Sequence, residues 1–488
     1  MNQSEAPILE AVAAYRQRHE VSFTPPGHKQ GRGVDPRVAA VLGAEAFRAD
    51  VLATTLDDPE HRGTSLKRAE ALMAEAVGAD RAFFSTCGSS LSVKAAMLAI
   101  AGPGDEMLIG RDAHKAVVSG LLLSGIHPVW VEPSWDPRRH LAHPPSVDAY
   151  SRAFQEHPGA VGALVTSPTP YGTAANLRGL AELCHGRGRP LIVDEAWGAH
   201  LPFHDALPAW AMDAGADLCV TSIHKMGSGL EQSSVYHLQG DLVDPAVLSS
   251  RADLLDTTSP SALLFAGMDG WRRQMAEHGH QLIDDALRLA NRVRADIEAV
   301  PGLHVDGAEE FCGPDHAFAL DPLQVVIDIT ALDCTGYQVA DWLYERHRIE
   351  LHLSDHRRIS AQLTFADDED TARILLSALR DLADHSDQLP PPHHVDVPDP
   401  ADLRLPQALD PRRAYFSAIE SVPARHAAGR VVAEVLTPYP PGIPAALPGE
   451  RLDAAVVDYL RTGLKAGMVI PDAADPELDT IRVVGAEE

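Results

Sequence analysis

Cysteine is scarce in this chain and does not cluster. Five residues, Cys87, Cys184, Cys219, Cys312 and Cys334, are scattered over 488 positions, odd in number and without a C-x-x-C pair. Neither a disulfide framework nor a thiolate zinc site is indicated, and a reducing cytoplasm fits best. Basic residues are also in the minority: 41 Lys and Arg stand against 69 Asp and Glu, a formal charge of −28. Such a surface repels nucleic acid and anionic membranes, so neither is expected as a partner. No uninterrupted apolar run approaches a membrane span, and the mixed-charge N-terminus has no apolar leader core. No internal repeat is visible. What remains is an acidic, soluble enzyme of the cytoplasm, long enough for two or three domains.

Residues 1–63 read as an N-terminal helix, over 7–19, followed by an arm. The arm sequence Ser-Phe-Thr-Pro-Pro-Gly-His-Lys-Gln-Gly-Arg-Gly, from Ser22, is too rich in proline and glycine for regular structure. It is either a linker or an ordered segment that reaches a neighbouring subunit. The next loop carries Asp57, Asp58, Pro59 and His61 and leads to Thr64 and Ser65, expected N-caps of a helix that ends near Val77 before Gly78. Residues 64–258 form the predicted large domain. Short apolar strands at 82–85, 106–109, 128–131, 161–166, 191–193 and 218–220 alternate with helical patterns, which means an α/β fold whose mostly parallel sheet is covered by helices.

Residues 259–386 read as a smaller α+β domain, helical to about Val300, with strands at 303–305, 325–329 and 350–353 and helices at 336–346 and 369–383. A Pro- and Asp-rich linker follows at 387–411, then a C-terminal domain at 412–488. In that domain Leu-Thr-Pro-Tyr-Pro-Pro-Gly-Ile-Pro, 436–444, is either a rigid surface loop or an active-site wall that supplies Tyr439.

The chemistry concentrates between Pro190 and Gln232. Two buried-strand patterns each end on an ionisable group: Asp194 after the first, and Ser222-Ile-His-Lys225 after the second. In open parallel sheets, ligands sit outside the carboxyl ends of the strands. A lysine amine holds the aldehyde of pyridoxal phosphate as a Schiff base, and a carboxylate keeps the pyridine nitrogen protonated so that the ring accepts electrons released at Cα. Lys225 and Asp194 fit those tasks; an ordinary buried salt bridge is the plain alternative. Gly88, Ser89 and Ser90, at a strand-to-helix turn, offer backbone N–H groups and hydroxyls to a phosphate, or simply cap the helix. Ser222 and His224 are further phosphate donors. His114 stacks on the ring or caps its own helix, and Trp197 lines the site or fills core. His200 and His204, with Asp194 or Glu195, imitate a metal set, but Pro202 between them argues against a helix, so a metallohydrolase ranks second and no metal is expected.

In these blocks the chain resembles the bacterial ornithine/lysine/arginine decarboxylases, pyridoxal-phosphate enzymes of the aspartate-aminotransferase fold type. The matching blocks run from Pro26–Lys29 through Asp57-Asp58, Gly88–Ser90, His114-Lys115, Asp194–Ala196, Gly198–His200, Ser222–Lys225 and Gln232–Ser234 to Pro438–Pro444. The resemblance implies Lys225 as the Schiff-base lysine, Asp194 on the pyridine nitrogen, His114 as the stacking imidazole, Ser89, Ser90, Ser222 and His224 on the phosphate, and Trp197 beside the ring. It implies decarboxylation of arginine, lysine or ornithine to agmatine or a diamine, with protonation at Cα by Lys225 or His224. Transamination or aldol cleavage is the alternative, and a non-catalytic scaffold a more distant one. The family's larger members begin with a receiver-like domain that this sequence lacks, so a homodimer with shared active sites is expected. Cys87, Met226 and Glu231 depart from the family pattern. The substrate's distal cation needs an acidic partner, for which Glu434 and Asp355 are the expectations.

Overall fold

The computed structural model describes residues 1–18, 20–57, 63–398, 403–439 and 442–485. Asp58, Pro59, His61, Pro440 and Pro441 lie outside the described residues. The chain forms two compact units, each built from two stretches: Met1–Ile100 with Cys184–Ile283, and Ala101–Leu183 with Asp284–Glu488.

In the first unit four strands are neighbours in the order Arg81–Ser85, Ser234–Leu238, Leu218–Ser222, Leu191–Asp194. Leu191, Ile192, Val193, Leu218, Cys219 and Val220 are wholly buried, which is why these strands are continuous apolar runs rather than alternating ones. Ser234–Leu238 is antiparallel to both of its neighbours, and Leu191–Asp194 is parallel to Leu218–Ser222. Arg81–Ser85, Leu191–Asp194 and Leu218–Ser222 therefore point the same way and deliver their carboxyl ends to one edge. The helix Pro7–Gln17 lays Ile8, Val12 and Tyr15, one face at a helical period, into the same unit. Its start is held by Asp269, which accepts from Ile8 N at 2.8 Å and pairs with the fully buried Arg272 at 2.8 Å.

The second unit contains three parallel strands, with Glu106–Gly110 between Ala163–Thr166 and His127–Val131. It also contains a four-stranded antiparallel sheet in the order His304–Asp306, Gln324–Asp328, Arg358–Gln362, Leu353–Ser354. Toward the C-terminus a two-stranded ribbon, Ile419–Pro423 with Thr480–Val484, and the helix Ala454–Ala466 enclose a core that includes Val432, Leu436, Leu460 and Ile481. No helix among the described residues is long and apolar enough to cross a membrane.

Several local expectations are corrected. The helix expected to be capped by Thr64 or Ser65 has Gly63, at φ +73°, as its N-cap, and spans Thr64–Ala76. Asp57 instead reaches forward and accepts from Ser65 N at 3.2 Å, so a side chain from the preceding loop does the capping. The strand expected over 350–353 is reduced to Leu353–Ser354, while Arg358–Gln362 supplies the longer strand beside it. Val395 and Leu405, within the stretch read as linker, are buried in the C-terminal core.

Candidate active site

The carboxyl edge of the first unit collects most of the chemistry-bearing residues. Asp194 ends its strand 5 % exposed, and its Oδ1 accepts from Ala196 N at 3.3 Å. Burial pushes its carboxyl up, and the charge of Lys225 pulls it back down. The adjacent parallel strand ends at Ser222, after which the short helix Ile223–Met226 carries His224 and Lys225. The Lys225 amine stands 4.0 Å from the centre of the Trp197 ring. Enclosure by protein lowers this amine from its ordinary value of 10.5 to about 8, with Asp194 opposing the fall. A lysine near 8 exchanges protons at neutral pH, which an exposed lysine does not.

The phosphate-type donors sit at the same edge. After Arg81–Ser85 the chain turns at Gly88, φ +75°, into the helix Gly88–Ile100. The turn is fixed by Gly88 N donating to the Gln232 carbonyl at 2.9 Å, and no atom lies within 4 Å of where a Gly88 Cβ would stand. Ser222 Oγ donates to Ser89 Oγ at 2.7 Å, so hydroxyls from a strand end and a helix start converge. Ser90 is exposed in the first turn. His224 Nδ1 lies 3.2 Å from the Ser233 carbonyl; a carbonyl only accepts, so Nδ1 carries the hydrogen. Burial lowers the His224 pKa, which leaves Nε2 as an acceptor in the neutral ring.

Two residues at this edge lie in the matching blocks, but the sequence assigns them no role at the cofactor site. Ser233 is fully buried and its Oγ has no hydrogen-bond partner. Glu195, fully buried behind Asp194, accepts from Cys219 Sγ at 3.1 Å and Ala211 N at 3.3 Å, and burial pushes its carboxyl far above the usual range. The partners of Glu195 and the unpaired hydroxyl of Ser233 are features of the fold, and a linear sequence does not display them.

The remaining expected residues belong to the second unit. His114 is the N-cap of the helix Lys115–Ser124, its Nδ1 accepting from Ala116 N at 3.2 Å. Asp355 lines a cavity of about 350 Å³ together with Tyr171, His140, Glu132 and Tyr459. Its oxygens are already engaged: Tyr171 Oη donates to Oδ2 at 3.0 Å, Arg358 Nε stands 3.0 Å from Oδ2, and Arg357 N and Arg358 N donate to Oδ1 at 2.8 and 3.0 Å. Burial works to raise this carboxyl, but Arg358 and the other donors hold it below the usual value. Glu434 does not line that cavity; its carboxylate accepts from Ala474 N at 2.7 Å and from Arg482 N, inside the C-terminal domain. Tyr439 pairs its backbone with Val469, and the residue is 45 % exposed.

A lysine and a carboxylate at the carboxyl edge of a covered sheet define a fold type I pyridoxal-phosphate enzyme, and the fold agrees. Lysine decarboxylase A from Pseudomonas aeruginosa superposes with a TM-score of 0.82 over 98% of this chain and 80% of that one, at 22% identity. The family of "Orn/Lys/Arg decarboxylase, major domain" matches residues 6–371, and that of its C-terminal domain matches 404–472. The chain belongs to the Orn/Lys/Arg decarboxylase family. An arginine decarboxylase of Halalkalibacterium halodurans is 37% identical over 100% of this chain and 99% of its own length. An arginine decarboxylase of Bacillus subtilis is 36% identical over 99% of both. The protein is an amino-acid decarboxylase acting on basic amino acids, and family and fold imply pyridoxal phosphate as its cofactor. The residues present fit that group: an amine of lowered pKa, an anion on the neighbouring parallel strand, and an open glycine turn flanked by converging hydroxyls.

Proposed function

We propose that arginine is the substrate and agmatine the product. The observation that carries the catalytic reading is that Lys225 and Asp194 leave adjacent parallel strands at one sheet edge, each biasing the other's charge. The choice of arginine is supported by whole-length likeness to enzymes that bear that activity in their names.

When bound, pyridoxal phosphate supplies an electron sink for the pair released as the bond from Cα to the carboxylate breaks. Lys225 would hold the cofactor through Nζ, and its amine, lowered by enclosure, could return a proton to Cα. Asp194 would keep a proton on the ring nitrogen, and its burial would strengthen that interaction. Ser89, Ser90, Ser222 and His224 would hold the phosphate at the Gly88 turn, Trp197 would line the ring beside Lys225, and the family resemblance assigns His114 as the stacking imidazole. His224 donates from Nε2 only when protonated, since Nδ1 is committed to Ser233. Four protein donors fill the lone pairs of Asp355, and Glu434 accepts inside the C-terminal domain without lining the Asp355 cavity, so neither is proposed as the partner of the distal cation.

We further place the protein in the cytoplasm as a homodimer with shared active sites. Support for the dimer comes from the arm, where Val21 and Phe23 are 73 % and 91 % exposed, a poor arrangement for a segment that stays in water. The test is a side-by-side assay of arginine, lysine and ornithine for carbon dioxide and for keto acid, with sedimentation of the same sample. Carbon dioxide from arginine is expected; keto acid without carbon dioxide would reassign the reaction, and a larger turnover with lysine would reassign the substrate.

A further inference from the structure

A second set of ligating side chains converges in the unit formed by Ala101–Leu183 and Asp284–Glu488, apart from the residues assigned above. Asp136 ends the strand Ser134–Asp136, and His143 ends Leu141–His143, the strand paired with it. His316 lies in the turn closed by the bridge between Cys312 and Ala317. One ligand atom from each of the three lies within 4.8 Å of the other two. Donors sharing one tetrahedral ion stand about 3.4 Å apart, so binding asks the three side chains to close by roughly 1.4 Å at most.

The state of these donors points to an ion. His143 is fully buried, and neither ring nitrogen has a hydrogen-bond partner; His316 Nδ1 is likewise buried without one. Buried imidazoles are ordinarily oriented by a hydrogen bond, and three buried ring nitrogens without one leave room for another partner. Asp136 is 1 % exposed and held by three donors, Arg138 N at 2.8 Å and Arg139 N at 3.0 Å on Oδ1 and Arg139 Nη1 at 3.1 Å on Oδ2, which leaves one of the carboxylate's roughly four lone-pair sites, on Oδ2, for an ion. Ligating carboxylates are held by outer hydrogen bonds of this kind. The Arg139 charge is shared with Asp306, 2.7 Å from Nε, so it does not cancel Asp136 alone. Asp136 and His316 also line an open cleft in which Asp306, Glu309, Glu310 and Asp328 stand beside Arg138, Arg139 and Arg357, so carboxylates are in the majority but the approach is of mixed charge.

We propose that Asp136, His143 and His316 bind one divalent transition-metal ion of the zinc type, with a fourth position open to water, joining the hairpin 134–143 to the turn 312–317. Two imidazoles and one carboxylate suit zinc or its neighbours far better than calcium or magnesium, which take oxygen donors. The sequence shows no such motif because the third ligand comes from a distant segment of the chain.

The test uses full-length holoenzyme without an affinity histidine tag, stripped with a chelator and then equilibrated with zinc or cobalt(II). About one zinc per chain after desalting, visible cobalt bands of low coordination number, and a zinc-dependent rise in Tm are expected in the unaltered protein. His316→Ala, in an accessible turn, keeps the fold and weakens zinc binding at least roughly tenfold, with loss of the cobalt bands. Asp136→Asn is the second variant and follows the same direction. Trace zinc in the unaltered protein, or the same affinity and cobalt spectrum in His316→Ala, would overturn the assignment.

Discussion

The sharpest consequence of the active-site electrostatics concerns the Lys225 amine before cofactor is added. Its pKa is lowered from 10.5 to about 8, chiefly by enclosure, while Asp194 acts to keep it charged. At pH 7 a lysine of ordinary pKa is neutral in about one molecule in three thousand, whereas one near 8 is neutral in about one in ten, a gain of roughly 300-fold in the nucleophilic form. Competitive acylation of the cofactor-free protein with a small reagent, read lysine by lysine by peptide mass spectrometry across pH 6 to 11, measures this directly. The label on Lys225 should rise with a midpoint near 8, well before the exposed lysines. Asp194→Asn removes the opposing anion, so the midpoint must fall further and the neutral fraction at pH 7 must rise, by at most roughly tenfold since it starts near a tenth. Decarboxylation in the same variant should nonetheless drop by about a hundredfold or more, because the ring nitrogen loses its anion. A Lys225 midpoint alongside the exposed lysines, or one that climbs in Asp194→Asn, would refute the electrostatic account.

Other changes separate holding the fold from holding the cofactor. Asp355→Asn strands the buried Arg358 without its carboxylate and should cost about 3–5 kcal/mol in denaturant unfolding; an unchanged midpoint with a raised KM would instead make Asp355 a substrate anchor. Because Asp355 is held below its ordinary value of 3.8, its contribution is complete above that pH and is lost as pH falls through the lower folded value, so Asp355→Asn and the unaltered protein should converge in stability only in strong acid. Ser222→Ala removes a hydroxyl from the Ser89 pair and should weaken pyridoxal phosphate binding roughly tenfold by equilibrium dialysis, with the unfolding midpoint nearly unchanged. Gly88→Ala meets no neighbour but forces φ +75° on a side chain; roughly 1–2 kcal/mol of strain should appear as slower cofactor uptake or a lower Tm, and neither change would mean that the turn relaxes freely.

How far such sites can be read in advance depends on where each residue finds its partner. Leu191–Asp194 and Leu218–Ser222 were legible because a strand buried on both faces must be apolar throughout, so its first polar residue marks the edge where a ligand binds. Ser234–Leu238 escaped because its serine is satisfied across the sheet: Ser234 Oγ donates to the Thr221 carbonyl at 2.8 Å and meets Ser92 Oγ at 3.0 Å, which makes a polar-looking segment entirely buried. The same blindness affected charge. Asp355 was visible as an acid that an arginine substrate would need, but not its saturation by Arg358 and by Tyr171, which lies far earlier in the chain. His114 was visible as an imidazole at a strand end, and its capping of Ala116 N was one of the two roles left open. A capped imidazole can still present a ring face, so stacking and capping are compatible for His114, whereas an acid whose lone pairs are spent on protein donors has less left for a ligand.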